Sequence, residues 1–267
     1  MVEQKAQIGV FGGSGFYDLL DNSDELELKT EFGQPSAKIR LGKIAGKKVA
    51  FLPRHGDKHT IPPHQVNYKA NIEAFKQLGV KQIIAPCAAG SLQPQVKPGD
   101  FVILDQFVDR TKGRDDTFFY GPQVAHIGGA DPYCPGLAKQ AIQACQDLQI
   151  NVHEQGTVAV VNGPRFSTRA ESRWFSAQGW QVINMTQYPE VILAREKEIC
   201  YCGIALITDF DTGLEGMQDI FPVSLEEVIK VFKQNNIKVK KLIFEIIKNL
   251  PNQAECRCRQ SLSNALF

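Results

Sequence analysis

Two rhythms of apolar and polar positions alternate along the chain. Short, nearly all-apolar runs occur at 8–11 (IGVF), 49–53 (VAFLP), 82–89 (QIIAPCAA), 157–161 (TVAVV), 181–184 (QVIN) and 203–207 (GIALI). Their length and their β-branched and aromatic content predict strands, and runs without alternation predict strands buried on both faces. Between them apolar residues recur every three or four positions, which predicts helices over 67–79, 136–150, 168–179 and 188–199. A long amphipathic helix is expected over 224–250, kinked at Asn235-Asn236. The stretch 37–56 reads as a hairpin turning at Ala45-Gly46, and 100–111 as one strand. Pro62-Pro63 and the segment from Lys112 to Pro135 read as loops, the second long enough to be functional.

This alternation predicts an α/β fold whose sheet is covered on both faces. No repeat, linker or low-complexity tract interrupts it, so residues 1–267 are expected to form a single domain. Composition agrees, with 43% apolar and 22% charged residues. The net charge of +1 removes an electrostatic case for nucleic acid or an anionic membrane as partner. No apolar run approaches the roughly 20 residues that span a bilayer, and the start, MVEQKAQIGVFGG, lacks a long apolar leader segment. A cytoplasmic protein is expected. Seven cysteines are scattered and odd in number, which argues against a secreted disulfide framework, and no Cys-x-x-Cys pair points to structural zinc. In the tail, Cys256-Arg257-Cys258 reads either as part of a packed final segment or as a redox pair.

The candidate chemistry sits at strand ends, where open α/β sheets bind ligands. Gly12-Gly13-Ser14-Gly15 offers backbone N–H groups and the Ser14 hydroxyl, suited either to a tight turn or to an anion. It lacks the third glycine of a dinucleotide site and the lysine of a phosphate-binding loop. Arg54-His55 follows the apolar run at 49–53 and adds a planar cation suited to phosphate. Thr186 stands where a helix should begin, as its cap, as an anion ligand, or as both. Asp209 and Asp211 end the run at 203–207. Alone they could hold a metal, perform acid–base work or grip a nitrogen-rich ligand, but no third acid is obvious beside them. Together Ser14, Arg54, His55 and Thr186 describe a site for free phosphate.

The segments IGVFGGSGFYD, PRHGDKHTIPPHQVNYKANI, GSLQPQVKPGDFVILDQFVDRT, GPRFSTRAES, INMTQYPEVILAREKEICY and TDFDTG together resemble the trimeric purine nucleoside phosphorylase family, in its methylthioadenosine branch. The likeness runs from about Ile8 to Leu250. It implies a single α/β domain with a mixed, partly barrel-like sheet flanked by helices, assembled as a homotrimer. The implied reaction is reversible cleavage of S-methyl-5'-thioadenosine by inorganic phosphate, a co-substrate, with no cofactor and no metal. A broader purine nucleoside specificity, a methylthioinosine preference, or a non-catalytic purine sensor on the same fold are the alternatives. Carried across, phosphate meets Ser14, Arg54, His55, Cys87, Ala88 and Thr186. Met185 lies against the ribose, Phe166 and Ser167 near the base, and Asp209 and Asp211 on the purine edge. Val228, Ile229 and His59 line the methylthio end, and His126 reaches in from a neighbouring subunit. Cys87 stands where relatives usually carry Thr or Asn. Chemically, a carboxyl in a dry pocket can stay protonated near neutral pH, so Asp209 is expected to protonate the leaving purine. A carboxylate pairs with a 6-amino group and repels a 6-oxo group, which favours adenine.

Overall fold

The computed structural model describes residues 5–13, 16, 19–20, 23–216, 220, 225–251 and 256–267, excepting the side chains of 225–229. Ser14 and the side chains of Val228 and Ile229 therefore lie outside the described residues. The strands are β1 (Ile8–Gly12), β2 (Asp24–Leu26), β3 (Ile39–Ile44), β4 (Lys47–Pro53), β5 (Gln82–Ser91), β6 (Phe101–Ile103), β7 (Gln106–Arg110), β8 (Val152–His153), β9 (Thr157–Val161), β10 (Val182–Asn184) and β11 (Cys200–Phe210). The helices are α1 (Tyr68–Gln77), α2 (Pro135–Asp147), α3 (Arg169–Ala177), α4 (Gln187–Glu196) and α5 (Leu225–Asn249). None of the described helices is long and apolar enough to cross a membrane.

Local chemistry sets the boundaries. Ala45 and Gly46, at φ of 48° and 80°, form the left-handed pair that a two-residue hairpin between right-twisted strands requires. Asn67 starts α1 by accepting from the Ala70 amide, and Gly79, at φ 84°, ends it. Thr168 and Glu171 close a reciprocal capping box at the start of α3. Thr168→Ala is expected to lower unfolding free energy by about 1 kcal/mol, read from a urea melt.

The sheet is mixed. The path β2-β3-β4-β1-β5-β10-β9-β7 is joined at β5 by β11, which carries β6 and then β8 on its far edge. β5 is the axis: β11 follows it along its whole length, while β1 pairs with its first three residues on the other edge and β10 with its last two. β6 and β7, expected as one strand, are two. Leu104 still donates its N–H to Gly203 in β11, whereas the Asp105 N–H goes to Gly156 at the start of β9. The chain changes neighbours there, and the path β6-β11-β5-β10-β9-β7 curls round until its two ends are joined by two residues. That is the barrel-like part of the sheet.

Alternation along β1 shows why both faces are covered. Phe11 belongs to one buried cluster, with Ile72 and Phe75 of α1 and Val191 and Leu193 of α4, and Val10 to a second, with Leu137 and Ala141 of α2 and Val239 and Ile243 of α5. Helix α5 runs unbroken through Asn235-Asn236. Asn235 is buried and donates its side-chain N–H to the Ile207 carbonyl at 2.9 Å, so it anchors the helix to β11 where a kink was expected.

Candidate active site

Strand register gathers the predicted residues at one end of the sheet. Gly12 pairs with Pro53, Val10 with Ile84, and Asp209 with Gly90, so the segments after β1 and β4 and the ends of β5 and β11 converge. The approach is close at Gly13. A Cβ there would lie 3.1 Å from the Pro86 carbonyl oxygen and 3.7 Å from both Arg54 Nη1 and the Cys87 Cα.

Arg54 is fully buried, which is tolerable only because it is paired. Its Nε donates to Glu190 Oε2 at 2.6 Å and its Nη2 to Oε1 at 2.7 Å, while Tyr201 donates its hydroxyl to Oε1 at 2.6 Å. Burial pulls the guanidinium pKa down, but the Glu190 carboxylate outweighs burial and the net shift is upward. The bidentate edge expected to meet phosphate is thus spent on Glu190. What remains is Nη1, 3.3 Å from the Pro86 carbonyl and facing Gly13. His55 contacts the Ile61 carbonyl through Nδ1 at 2.9 Å. A carbonyl only accepts, so Nδ1 carries the proton and Nε2 is left as the acceptor. Burial, with Arg54 next door, lowers the His55 pKa to about 4, so the ring is neutral at pH 7.

Cys87 does not present a thiol to this corner as Thr or Asn would present a hydroxyl or amide. Its Sγ lies 3.7 Å from the Ile204 carbonyl and accepts N–H groups from Asn184 at 3.2 Å and Gln187 at 3.5 Å. Burial pushes the thiol up to about 11, so it stays protonated. Gln187 reaches it because residue 203 is glycine: a Cβ there would meet the Gln187 side-chain oxygen. Ala88 follows on β5, paired with Leu206. Thr186 is buried at the N-cap of α4, yet its side chain makes no capping bond. The cap reading fails, and a buried hydroxyl is left at the helix start.

Three residues further along β5 the character changes. Gly90 lies between the acids, with Asp209 Oδ2 and the Asp211 Cβ each 3.7 Å from where its Cβ would be. Register slips between Ile207 and Asp209, a bulge that leaves Thr208 unpaired. Thr208 donates its hydroxyl to Asp209 Oδ1 at 2.5 Å. Burial raises the Asp209 pKa to about 6, although the Thr208 bond opposes it. Asp211 accepts the Ser167 hydroxyl at 2.8 and 3.0 Å, and its amide donates to the Ser91 carbonyl at 2.8 Å. Ser167, expected near the base, is thus a clamp on the second acid. Phe166 beside it is 79% exposed. A cavity of about 360 Å³ adjoins this loop, lined by Arg110, Asn162, Gly163, Arg165, Ser167 and Glu171. A larger hollow of about 1140 Å³ lies between β3 and α5 and touches none of these groups.

Met185 follows β10, and its carbonyl accepts Arg114 Nη2 at 2.8 Å. Arg114 also reaches the carbonyls of Asn162 and Tyr188, tying the 112–135 loop beneath three segments that border the site. Neither Arg114 nor Glu190 was anticipated. An acid on the apolar face of a predicted helix was the one signal for Glu190. His59 lies ring-to-ring with His55 at 4.7 Å. His126 is exposed and packs on the chain's own C-terminal Phe267 at 5.4 Å, with no contact to the two corners among the described residues.

The arrangement is therefore two corners on one strand. A cation and backbone N–H groups lie at Cys87, and paired acids at Gly90, about 10 Å apart at strand rise. Residues 7–248 match the Phosphorylase superfamily, and the chain belongs to it. Among curated relatives it is 49% identical over 266 residues to S-methyl-5'-thioadenosine phosphorylase of Thermofilum pendens, covering 99% of this chain and 100% of the relative. It is 46% identical to purine nucleoside phosphorylase of Streptomyces coelicolor, covering 97% of this chain and 95% of that one. Among solved structures, methylthioadenosine phosphorylase from Schistosoma mansoni in complex with adenine superposes with a TM-score of 0.85 at 38% identity, covering 91% of each chain.

Proposed function

We propose that the chain catalyses reversible phosphorolysis of S-methyl-5'-thioadenosine, a pentosyl transfer that yields adenine and 5-methylthio-α-D-ribose 1-phosphate. The observation that carries this reading is the Asp209–Asp211 pair at Gly90, three residues along β5 from Cys87, which lies with Arg54 beside Gly13. Inorganic phosphate is the co-substrate, held by Arg54 Nη1, the neutral His55, Thr186, the backbone at Gly13 and Ala88, and Ser14. A phosphate oxygen forms the new bond to the anomeric carbon from the face opposite the base. The C–N bond breaks, its electrons pass to the purine, and Asp209 gives its proton to N7. Holding the nucleophile in line supplies much of the acceleration, and fixed charge around the sugar cation supplies more. Asp211, fixed by Ser167, accepts from the 6-amino group. Met185 lies against the ribose and Phe166 covers the base. His59, Val228 and Ile229 form the methylthio end. His126, exposed on its loop, completes a neighbour's site in a homotrimer that works in the cytoplasm without metal or organic cofactor at the reaction centre.

A broader purine specificity is the second reading, favoured by the identity to the Streptomyces coelicolor protein. Initial rates on methylthioadenosine, adenosine, methylthioinosine and inosine, each with and without phosphate, separate the two. Methylthioadenosine is expected to be fastest, adenosine slower because a lost methylthio contact is worth about 1–3 kcal/mol, and the inosines slowest. Equal rates on the 6-oxo and 6-amino nucleosides defeat the assignment of the acids. Release of no free base when phosphate is added makes the chain a purine sensor instead.

A further inference from the structure

Away from the active site the fold assembles four cysteines that are scattered in sequence. Cys134 is the N-cap of α2, Cys200 opens β11, and in the C-terminal segment Cys256 caps a 3₁₀ turn that contains Cys258. Their four sulfurs all lie within 4.8 Å of one another, and Cys134 Sγ and Cys256 Sγ are 3.5 Å apart. Tetrahedral ligation with metal–sulfur bonds of about 2.3 Å sets sulfur–sulfur edges near 3.8 Å, which falls between the 3.5 Å of that pair and the 4.8 Å bound on the group. Three of the four residues are buried, and they belong to the apolar cluster that also holds Leu137, Ile204 and Leu250. The remaining thiols, Cys87, Cys145 and Cys202, are not members of the group, although Cys145 and Cys202 share its buried apolar cluster.

We infer that Cys134, Cys200, Cys256 and Cys258 bind one divalent, thiolate-preferring cation, zinc, in a closed four-sulfur structural site. The lack of a Cys-x-x-Cys pair does not bear on such a site, because three separate segments supply the four sulfurs and spacing along the chain cannot show that. The ion would enter as thiols release their protons, Zn²⁺ plus thiolates forming the tetrathiolate, with no change of oxidation state. Its structural consequence is to staple the C-terminal segment to α2 and β11. Past the 3₁₀ turn that segment runs along the 112–135 loop: Leu266 bridges to Ala125, and the His126 amide donates to the Ala265 carbonyl at 2.8 Å. The staple therefore fixes the backbone that carries His126. A role for it in catalysis rests on the proposed trimer, but the metal site does not.

The full-length protein, produced with zinc in the medium and purified under reducing conditions without chelator, is expected to carry one zinc per chain by elemental analysis. Replacing zinc by Co²⁺ should give thiolate-to-cobalt charge-transfer absorption and the visible bands of tetrahedral sulfur ligation. The double variant Cys256→Ser/Cys258→Ser should lose the ion, and Cys145→Ser should keep it. Removing the ion should open the exposed Arg257 bond to trypsin. Purified protein with no zinc overturns the proposal, whether the four residues then titrate as free thiols or map as disulfides. So does zinc that survives in the double variant. Should the double variant not fold, the metal content and cobalt spectrum of the unmodified chain decide alone.

Discussion

Asp209→Asn should lower kcat on methylthioadenosine by about 100- to 10,000-fold, the usual worth of a general acid, while the melting transition survives. Asn fills the same space and can still accept the Thr208 hydroxyl, so the loss is confined to the proton. The pH behaviour distinguishes this from a lost contact. The Asp209 pKa is raised from 3.8 to about 6 by burial, so kcat/KM should fall as pH rises through about 6, and that limb should vanish in the variant. Stability moves with it. Below 3.8 the carboxyl is protonated both folded and unfolded, and burial costs nothing extra. The cost of the buried charge builds between 3.8 and about 6 and is fully present above, on the order of 3 kcal/mol. The variant is thus expected to be more stable than the parent at pH 8 and equal to it near pH 3, in urea melts at both. Near-normal turnover in the folded variant would remove Asp209 from the mechanism.

The second large effect belongs to Glu190→Gln. Gln keeps the volume but leaves the Arg54 guanidinium fully buried opposite a neutral amide, and breaking such a pair costs about 3–5 kcal/mol. Denaturant unfolding should show that loss. In enzyme that remains folded, KM for phosphate should rise more than KM for the nucleoside, because Glu190 fixes where Arg54 Nη1 points and touches nothing at the acid corner. Equal changes in both constants would assign Glu190 to the fold alone.

These two residues also mark what the sequence could and could not reveal. Asp209 was visible because it follows an apolar run, at a strand end, where a carboxylate has no packing role. Glu190 lies 136 residues from Arg54, and its pairing depends on how α4 packs against α1 and β11. Nothing in local periodicity encodes that. The same holds for the cysteine cluster and for Arg114, whose partners are backbone carbonyls of three other segments. Periodicity located nearly every buried strand and helix, because a face that must meet a core repeats its apolar residues. It missed β2 and β8, which are two or three residues long and not fully buried, and it merged β6 with β7, whose switch of partners is a tertiary event. The Asn235-Asn236 pair suggested a kink because Asn is a poor helix former, but a buried bond to β11 outweighs that preference.

The unpaired Thr208 in β11 sets a rule for how this chain can change length. Thr208 and Asp209 together oppose the single Gly90, and the added residue bends the end of β11. Deleting Thr208 would leave Asp209 opposite Gly90 but straighten that bend and remove the hydroxyl that Asp209 accepts, so both acids would shift from their places beside Gly90. Changes of length should be tolerated in the 112–135 loop away from Arg114, His126 and Cys134, whereas a deletion at Thr208 should cost activity while the sheet still forms.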